Sequence, residues 1–131
     1  MSSFCLTIII PAYNEAESIG GIVSNIRFRH PDAEILVIDD GSTDNTSAVA
    51  LQASATVQRH PYNMGNGAAV KSGIRKAHGE ILVLMDADGQ HDPGDIEKLL
   101  TEFSGYDMVV GARTGNNHAT LFRAVGNRLC N

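Results

Sequence analysis

Short, β-branched apolar runs alternate along the chain with stretches whose apolar residues recur at helical spacing. Residues 6–10 (LTIII) are a continuous apolar run stopped by Pro11, and Ile19, Ile22, Val23 and Ile26 then follow at i, i+3, i+4 and i+7. A buried strand followed by an amphipathic helix is predicted. Residues 34–39 (EILVID) predict a second strand, and the STDNT stretch supplies capping side chains for a helix carrying Thr46, Val49, Ala50 and Ala53. A weaker third strand falls near residues 56–59. After the turn-rich HPYNMGNG, Val70, Ile74 and Ala77 mark a third helix, closed by Gly79. The most apolar run, ILVLM (81–85), is the fourth strand. Asp92 and Pro93 form an N-cap and first-turn pair for a helix with Ile96, Leu99, Leu100 and Phe103 on its buried stripe, and residues 107–112 (DMVVGA) are a fifth strand. The last residues continue in a helix-like pattern.

Strands covered on both faces by crossover helices read as near-continuous apolar runs, as these do. The expected fold is α/β, a doubly wound and mainly parallel sheet flanked by helices. Ligands of such sheets sit at the carboxyl ends of the strands, where the strand order reverses. The polar clusters of the chain fall at those ends: PAYNE after strand one, DDGSTD after strand two, HPYNMGNG after strand three, DADGQHD after strand four and Arg113 after strand five. Any one of them alone would pass as a capping and turn-forming loop. Five on one edge predict a site.

Composition narrows the ligand. The 131 residues, 43% hydrophobic and 19% charged, suit one globular domain. With a formal charge of -5 and no long Lys/Arg cluster, the chain lacks the basic footprint of a nucleic-acid or anionic-membrane binder, so an anionic ligand must be held locally. Cys5 and Cys130 have no metal-like spacing and read as idle thiols in a reducing compartment. The apolar runs are too short to span a bilayer and the N-terminus has no basic leader, which predicts a cytoplasmic location.

The clusters themselves suggest chemistry. Asp86 and Asp88, one residue apart past a buried strand, can turn toward one point while Ala87 faces away, and Gln90 adds a neutral oxygen. Hard oxygen donors suit Mg2+ or Mn2+, which would neutralise the charge growing on a departing nucleoside diphosphate. His91 lies between that pair and the helix begun by Asp92. Asp39 and Asp40 have no Cys or His ligand nearby in sequence, and fit acceptance of hydrogen bonds from a base and ribose better than a second metal. Tyr13 offers an aromatic face for a base, and Glu15 an acceptor for a base amide or a ribose hydroxyl. No G-x-G-x-x-G follows strand one and no P-loop is present, so those phosphate cradles are excluded. Gly65 and Gly67 read as a tight turn, with Lys71 reaching toward the site. No nucleophile elbow or Cys/His pair is found.

Together IIIPAYNEAESI, ILVIDDGSTDNT, HPYNMGNGAAVKSGIRKA, ILVLMDADGQHDPGDI and DMVVGAR resemble the family 2 glycosyltransferases of GT-A fold, and most of all their polyprenyl-phosphate branch, which includes the dolichol-phosphate mannose synthases. The resemblance covers essentially the whole chain. It implies an inverting hexosyltransferase with a Rossmann-like nucleotide-sugar-binding domain, moving a sugar from a UDP- or GDP-linked donor to a lipid phosphate. Pro11, Tyr13, Glu15, Asp39 and Asp40 would line the nucleotide pocket. Asp86, Ala87, Asp88 and Gln90 would form the metal and diphosphate site, Arg113 would approach the donor phosphates or sugar, and Arg123 would grip the acceptor phosphate. Asp88 and Arg113 would carry the catalytic roles. Asn127 stands where many dolichol-type members have Ser. An ionised phosphate acceptor needs little general-base help, in keeping with the lack of an obvious base.

The same resemblance implies that residues 1–131 are a single donor-binding domain without the family's acceptor-binding part, and turn over little alone. Full-length members act at the cytoplasmic face of a membrane. Apolar surface left bare in such a piece could be covered in a homodimer. A nucleotidyltransferase requires a basic, glycine-rich loop after strand one, which PAYNEAES is not. A non-catalytic nucleotide-sugar binding module remains the alternative.

Overall fold

The computed structural model describes residues 6–88, 94–102, 108–111 and 122–125. In chain order the elements are β1 (Leu6–Ala12), α1 (Ala16–Arg29), β2 (Glu34–Asp39), α2 (Thr46–Gln52), β3 (Thr56–Arg59), α3 (Asn66–Lys76), β4 (Ile81–Leu84), α4 (Asp95–Glu102), β5 (Met108–Gly111) and β6 (Phe122–Val125). They build a six-stranded sheet of order β3-β2-β1-β4-β6-β5. The first four strands in that order are parallel, with Ile9 opposite Leu36 on one side and opposite Leu84 on the other. Successive crossovers lead away from β1 toward β3, then return past it to β4. The strand order therefore reverses between β1 and β4, and a crevice opens at their carboxyl ends.

Alternation along β1 divides the core. Ile8, Ile10 and Ala12 join Ile35, Val37, Val83 and Met85 on the face covered by Ile19, Ile22, Val23 and Ile26 of α1, Ala50 of α2 and Ile96 of α4. Ile9, Leu36, Ile38 and Leu84 point the other way, toward Ala69 of α3. Every buried position expected on α1 is buried.

The structure corrects three expectations. The buried positions of α3 are Ala69 and Gly73, while Ile74 is 45% exposed. The reason is distance: a Cβ on Gly73 would lie 2.3 Å from Cγ2 of Ile9, so the helix rides on the sheet where only the smallest side chains fit. Second, α3 ends at Lys76 with Ala77 as its C-cap, and Gly79 packs instead where a Cβ would meet the Thr7 side chain and backbone at 2.6 and 2.7 Å. Third, where five strands are expected a sixth, β6, runs antiparallel to both β4 and β5, and the helix-like end that follows lies outside the described residues. Its antiparallel course puts Arg123 opposite Leu84, beside the carboxyl end of β4.

Candidate functional site

The loops after β1 and β2 are bound to each other before they bind anything else. Asn14 adopts a left-handed backbone (φ 53°), which turns its side-chain oxygen onto the N–H groups of Thr43 and Asp44 at 2.8 and 3.3 Å. In return, Ser42 Oγ accepts from Asn14 N, Thr46 Oγ1 from Glu15 N, and Asp44 from Ala16 N. The first N–H of α1, that of Ala16, is therefore satisfied from within the fold, as are the two N–H groups that lead into the helix. Ser18, one turn into α1, donates to the carbonyl of Ala87 at 2.5 Å, joining these loops to the one after β4.

The paired aspartates of β2 take separate places. Asp39 is fully buried. It accepts from Ser42 N at 2.9 Å, from Ser47 Oγ and from Arg59 at 2.8 Å, and Arg59 also donates to the carbonyl of Ser42 at 2.6 Å. Burial alone would raise its carboxyl, but bonds from Ser42 and Ser47 and the Arg59 charge outweigh that and hold it below the ordinary range. Asp40, 4% exposed, accepts from His60 Nδ1 (2.8 Å), Met64 N (2.9 Å) and Gly65 N (2.9 Å). Its carboxyl is likewise lowered, burial being outweighed by those three bonds and by His60. Between the next residue and the third loop there is no room: Gly41 has φ 79°, and a Cβ there would lie 2.5 Å from the Tyr62 carbonyl carbon.

At the switch point these loops enclose a cavity of about 260 Å³, lined by Pro11, Ala12, Tyr13, Glu15 and Asp40 on one side and by Asp86, Ala87 and Asp88 on another, with Asn63, Gly65, Asn66 and Ala69 completing the wall. Pro11, Tyr13, Glu15, Asp40, Asp86, Ala87 and Asp88, expected from sequence to act together, are thus brought together. Asp39 lies behind the wall and does not line the cavity. Lys71 is exposed and outside the lining as well. Gln90, His91, Asp92, Arg113 and Asn127 lie outside the described residues, as do Cys5 and Cys130. Asn63, Gly65 and Asn66 belong to the HPYNMGNG cluster expected at this edge, where the glycines read mainly as a tight turn, and His60 carries no sequence signal of its own.

The lining is acidic. Glu15, Asp40, Asp86 and Asp88 contribute four carboxyls, and no Lys, Arg or His is among the lining residues described. Burial raises the Glu15 carboxyl, and the charges of Asp88, Asp44 and Asp86 raise it further against a bond from Ser18. Ala87 is buried while Asp86 and Asp88 are exposed on either side of it, so the two carboxylates flank the mouth from one short loop. Among the described residues no group of three or more His, Cys, Asp or Glu side chains is placed to hold a metal ion. No helix among the described residues is long and apolar enough to cross a membrane.

Comparison with known proteins agrees with this geometry. The family model described as Glycosyl transferase family 2 matches residues 7–129. The undecaprenyl-phosphate 4-deoxy-4-formamido-L-arabinose transferase of Photorhabdus laumondii is 30% identical over 137 residues, covering 96% of this chain and 42% of that protein. The UDP-N-acetylglucosamine–dolichyl-phosphate N-acetylglucosaminyltransferase of Methanococcus voltae is 32% identical over 153 residues, covering 97% of this chain and 61% of that protein. The chain thus spans about half the length of these relatives. Among solved structures, the glucosyl-3-phosphoglycerate synthase of Mycobacterium tuberculosis in complex with UDP aligns at TM-score 0.74 and 25% identity, over 86% of this chain and 46% of its own. The same synthase with Mn2+, UDP and glucosyl-3-phosphoglycerate aligns at TM-score 0.69 and 25% identity, over 79% of this chain and 41% of its own.

Proposed function

The chain belongs to glycosyl transferase family 2, a family 2 glycosyltransferase of GT-A fold, and from that premise we propose that it forms the donor-binding part of an inverting enzyme. The donor is a nucleoside diphosphate sugar, and the acceptor of the whole protein is a polyprenyl phosphate. The observation that carries the donor reading is the cavity at the β1/β4 switch point, with Tyr13 and Glu15 on one side and Asp86 and Asp88 on another. The relatives named for undecaprenyl and dolichyl phosphate support the acceptor class.

Charge argues for a divalent cation. A diphosphate entering a cavity lined by four carboxyls and no described cation would be repelled. Asp86 and Asp88, exposed oxygen donors on either side of buried Ala87, fit Mg2+ or Mn2+, with Gln90 as a third ligand, and the structural relative bound to Mn2+ and UDP supports that choice. Bound there, the ion would stabilise the negative charge gained by the departing nucleoside diphosphate. Tyr13 would stack on the base, and Glu15 would accept from the base or ribose. Asp40 would accept from the ribose or base where it meets the cavity, and Asp39 would act on the base side by holding the loop that follows it. Arg113 would approach the donor phosphates or sugar. Arg123, beside the carboxyl end of β4, would meet the acceptor phosphate. Inversion follows if the acceptor oxygen attacks the anomeric carbon directly, opposite the departing diphosphate.

Titration calorimetry with UDP and GDP, with and without Mn2+, tests the reading. Metal-dependent binding that disappears in Asp88→Ala supports it. Metal-independent binding would favour a binding module that performs no transfer.

A further inference from the structure

The cavity wall formed by Asn63, Gly65 and Asn66 has weak support from the hydrophobic core. It follows β3, a four-residue strand in which no residue is fully buried, at the edge of the sheet. From Pro61 to Met64 every residue is exposed. What holds this loop is polar. Asp40 takes the N–H groups of Met64 and Gly65, and His60, 5% exposed, bonds Asp40 through Nδ1 at 2.8 Å. Behind the ring, Nε2 lies 2.8 Å from Ser72 Oγ on α3. The His60 N–H is bound to the carbonyl of Asp39, so backbone and ring are both fixed to the end of β2.

The chemistry of the groups sets the direction of the chain. An ionised carboxylate only accepts, so Nδ1 carries the proton shared with Asp40, and the Ser72 hydroxyl, which can donate or accept, meets Nε2 on the other side of the ring. Asp40 is the single member that lines the cavity. His60 and Ser72 stand behind it, where they fix its rotamer without touching a ligand. A carboxylate that must hold two backbone N–H groups and still present itself to a ligand has little freedom to err.

We propose that His60 and Ser72 are positioning residues for the nucleotide side of the donor site, acting through Asp40 and the loop it holds. The inference rests on the donor-binding reading above and adds to it two side chains that the ligand does not meet. The metal side of the site, at Asp86 and Asp88, lies on a different loop. The two sides are therefore separable by measurement.

The test compares the wild-type chain with His60→Ala, His60→Asn and Ser72→Ala, using UDP and GDP at saturating Mn2+ in calorimetry, and Mn2+ alone as a second probe. Removing the ring should weaken nucleotide binding by ~10-fold or more, and removing the Ser72 hydroxyl by a few-fold, as expected for loss of preorganising bonds to a charged group. Asn at 60, whose amide can replace the Nδ1 donor, should recover most of the loss. Affinity for Mn2+ alone should stay within about twofold of wild type. Should His60→Ala fail to fold, Ser72→Ala and His60→Asn carry the comparison. The inference is overturned if folded His60→Ala or Ser72→Ala binds nucleotide as the wild type does, or if nucleotide and Mn2+ affinities fall together, which would mark a general structural role. A wild-type chain that binds neither UDP nor GDP in Mn2+ would overturn the donor reading itself and this inference with it.

Discussion

Asp39 and Asp40 stand at the end of one strand, while Asp86 and Asp88 follow another, yet the two pairs have opposite surroundings. The first pair is buried and occupied by N–H and O–H groups of its own fold, with carboxyls lowered by those bonds. Asp86 and Asp88 are exposed at the mouth of a cavity. Acidic residues at strand ends are therefore not one class. Those at the end of β2 hold the wall, Asp39 from behind it and Asp40 from within the lining, and those after β4 lie exposed in the lining. Glu15, half-buried between the two groups, feels the second pair as a repulsion.

Stability measurements should separate them. The largest effect is expected for Asp39→Ala, which strips partners from Ser42 N, Ser47 and Arg59 and should cost about 3 to 4 kcal/mol in urea unfolding. Gly41→Ala should follow at about 2 to 3 kcal/mol, because it meets a left-handed backbone and the Tyr62 backbone at once. Acid comes next. Asp39 and Asp40 sit below their ordinary 3.8 when folded, so their contribution is complete above that value. It is lost as pH falls through 3.8 toward the depressed folded values, and thermal midpoints should drop over that interval. Glu15, raised in the fold, has the opposite sign, and Glu15→Gln should raise the thermal midpoint slightly at neutral pH by removing a repelled charge. Asp88→Ala should change stability least, by under about 0.5 kcal/mol, while abolishing metal-dependent UDP or GDP binding. Equal losses of stability for Asp39→Ala and Asp88→Ala would break the distinction.

Sequence pattern was a good guide wherever large side chains carried it. The apolar runs of β1, β2 and β4 and the Ile and Val stripe of α1 show directly in the spacing, as do the residues that meet at the switch point. It failed where small residues did the packing. On α3 the periodicity of Val70 and Ile74 drew attention from Ala69 and Gly73, the residues that allow the helix to lie on Ile9. Strand β6 was hidden for another reason: four residues, FRAV, are too few to show a period, and only their partners on β4 and β5 make them a strand. His60 was invisible for a third. A solitary histidine has no pattern, and its meaning comes from Asp40 and Ser72, 20 and 12 residues away.

The position of β6 also bears on how the molecule is made. Among the described residues β5 pairs with β6 alone, although β6 comes later in the chain. During synthesis from the N-terminus, β5 leaves the ribosome with no strand to join. Among the described residues, by contrast, the last to line the cavity is Asp88. A nascent chain can therefore bring the described part of its cavity together while the far edge of the sheet is still waiting for its connector.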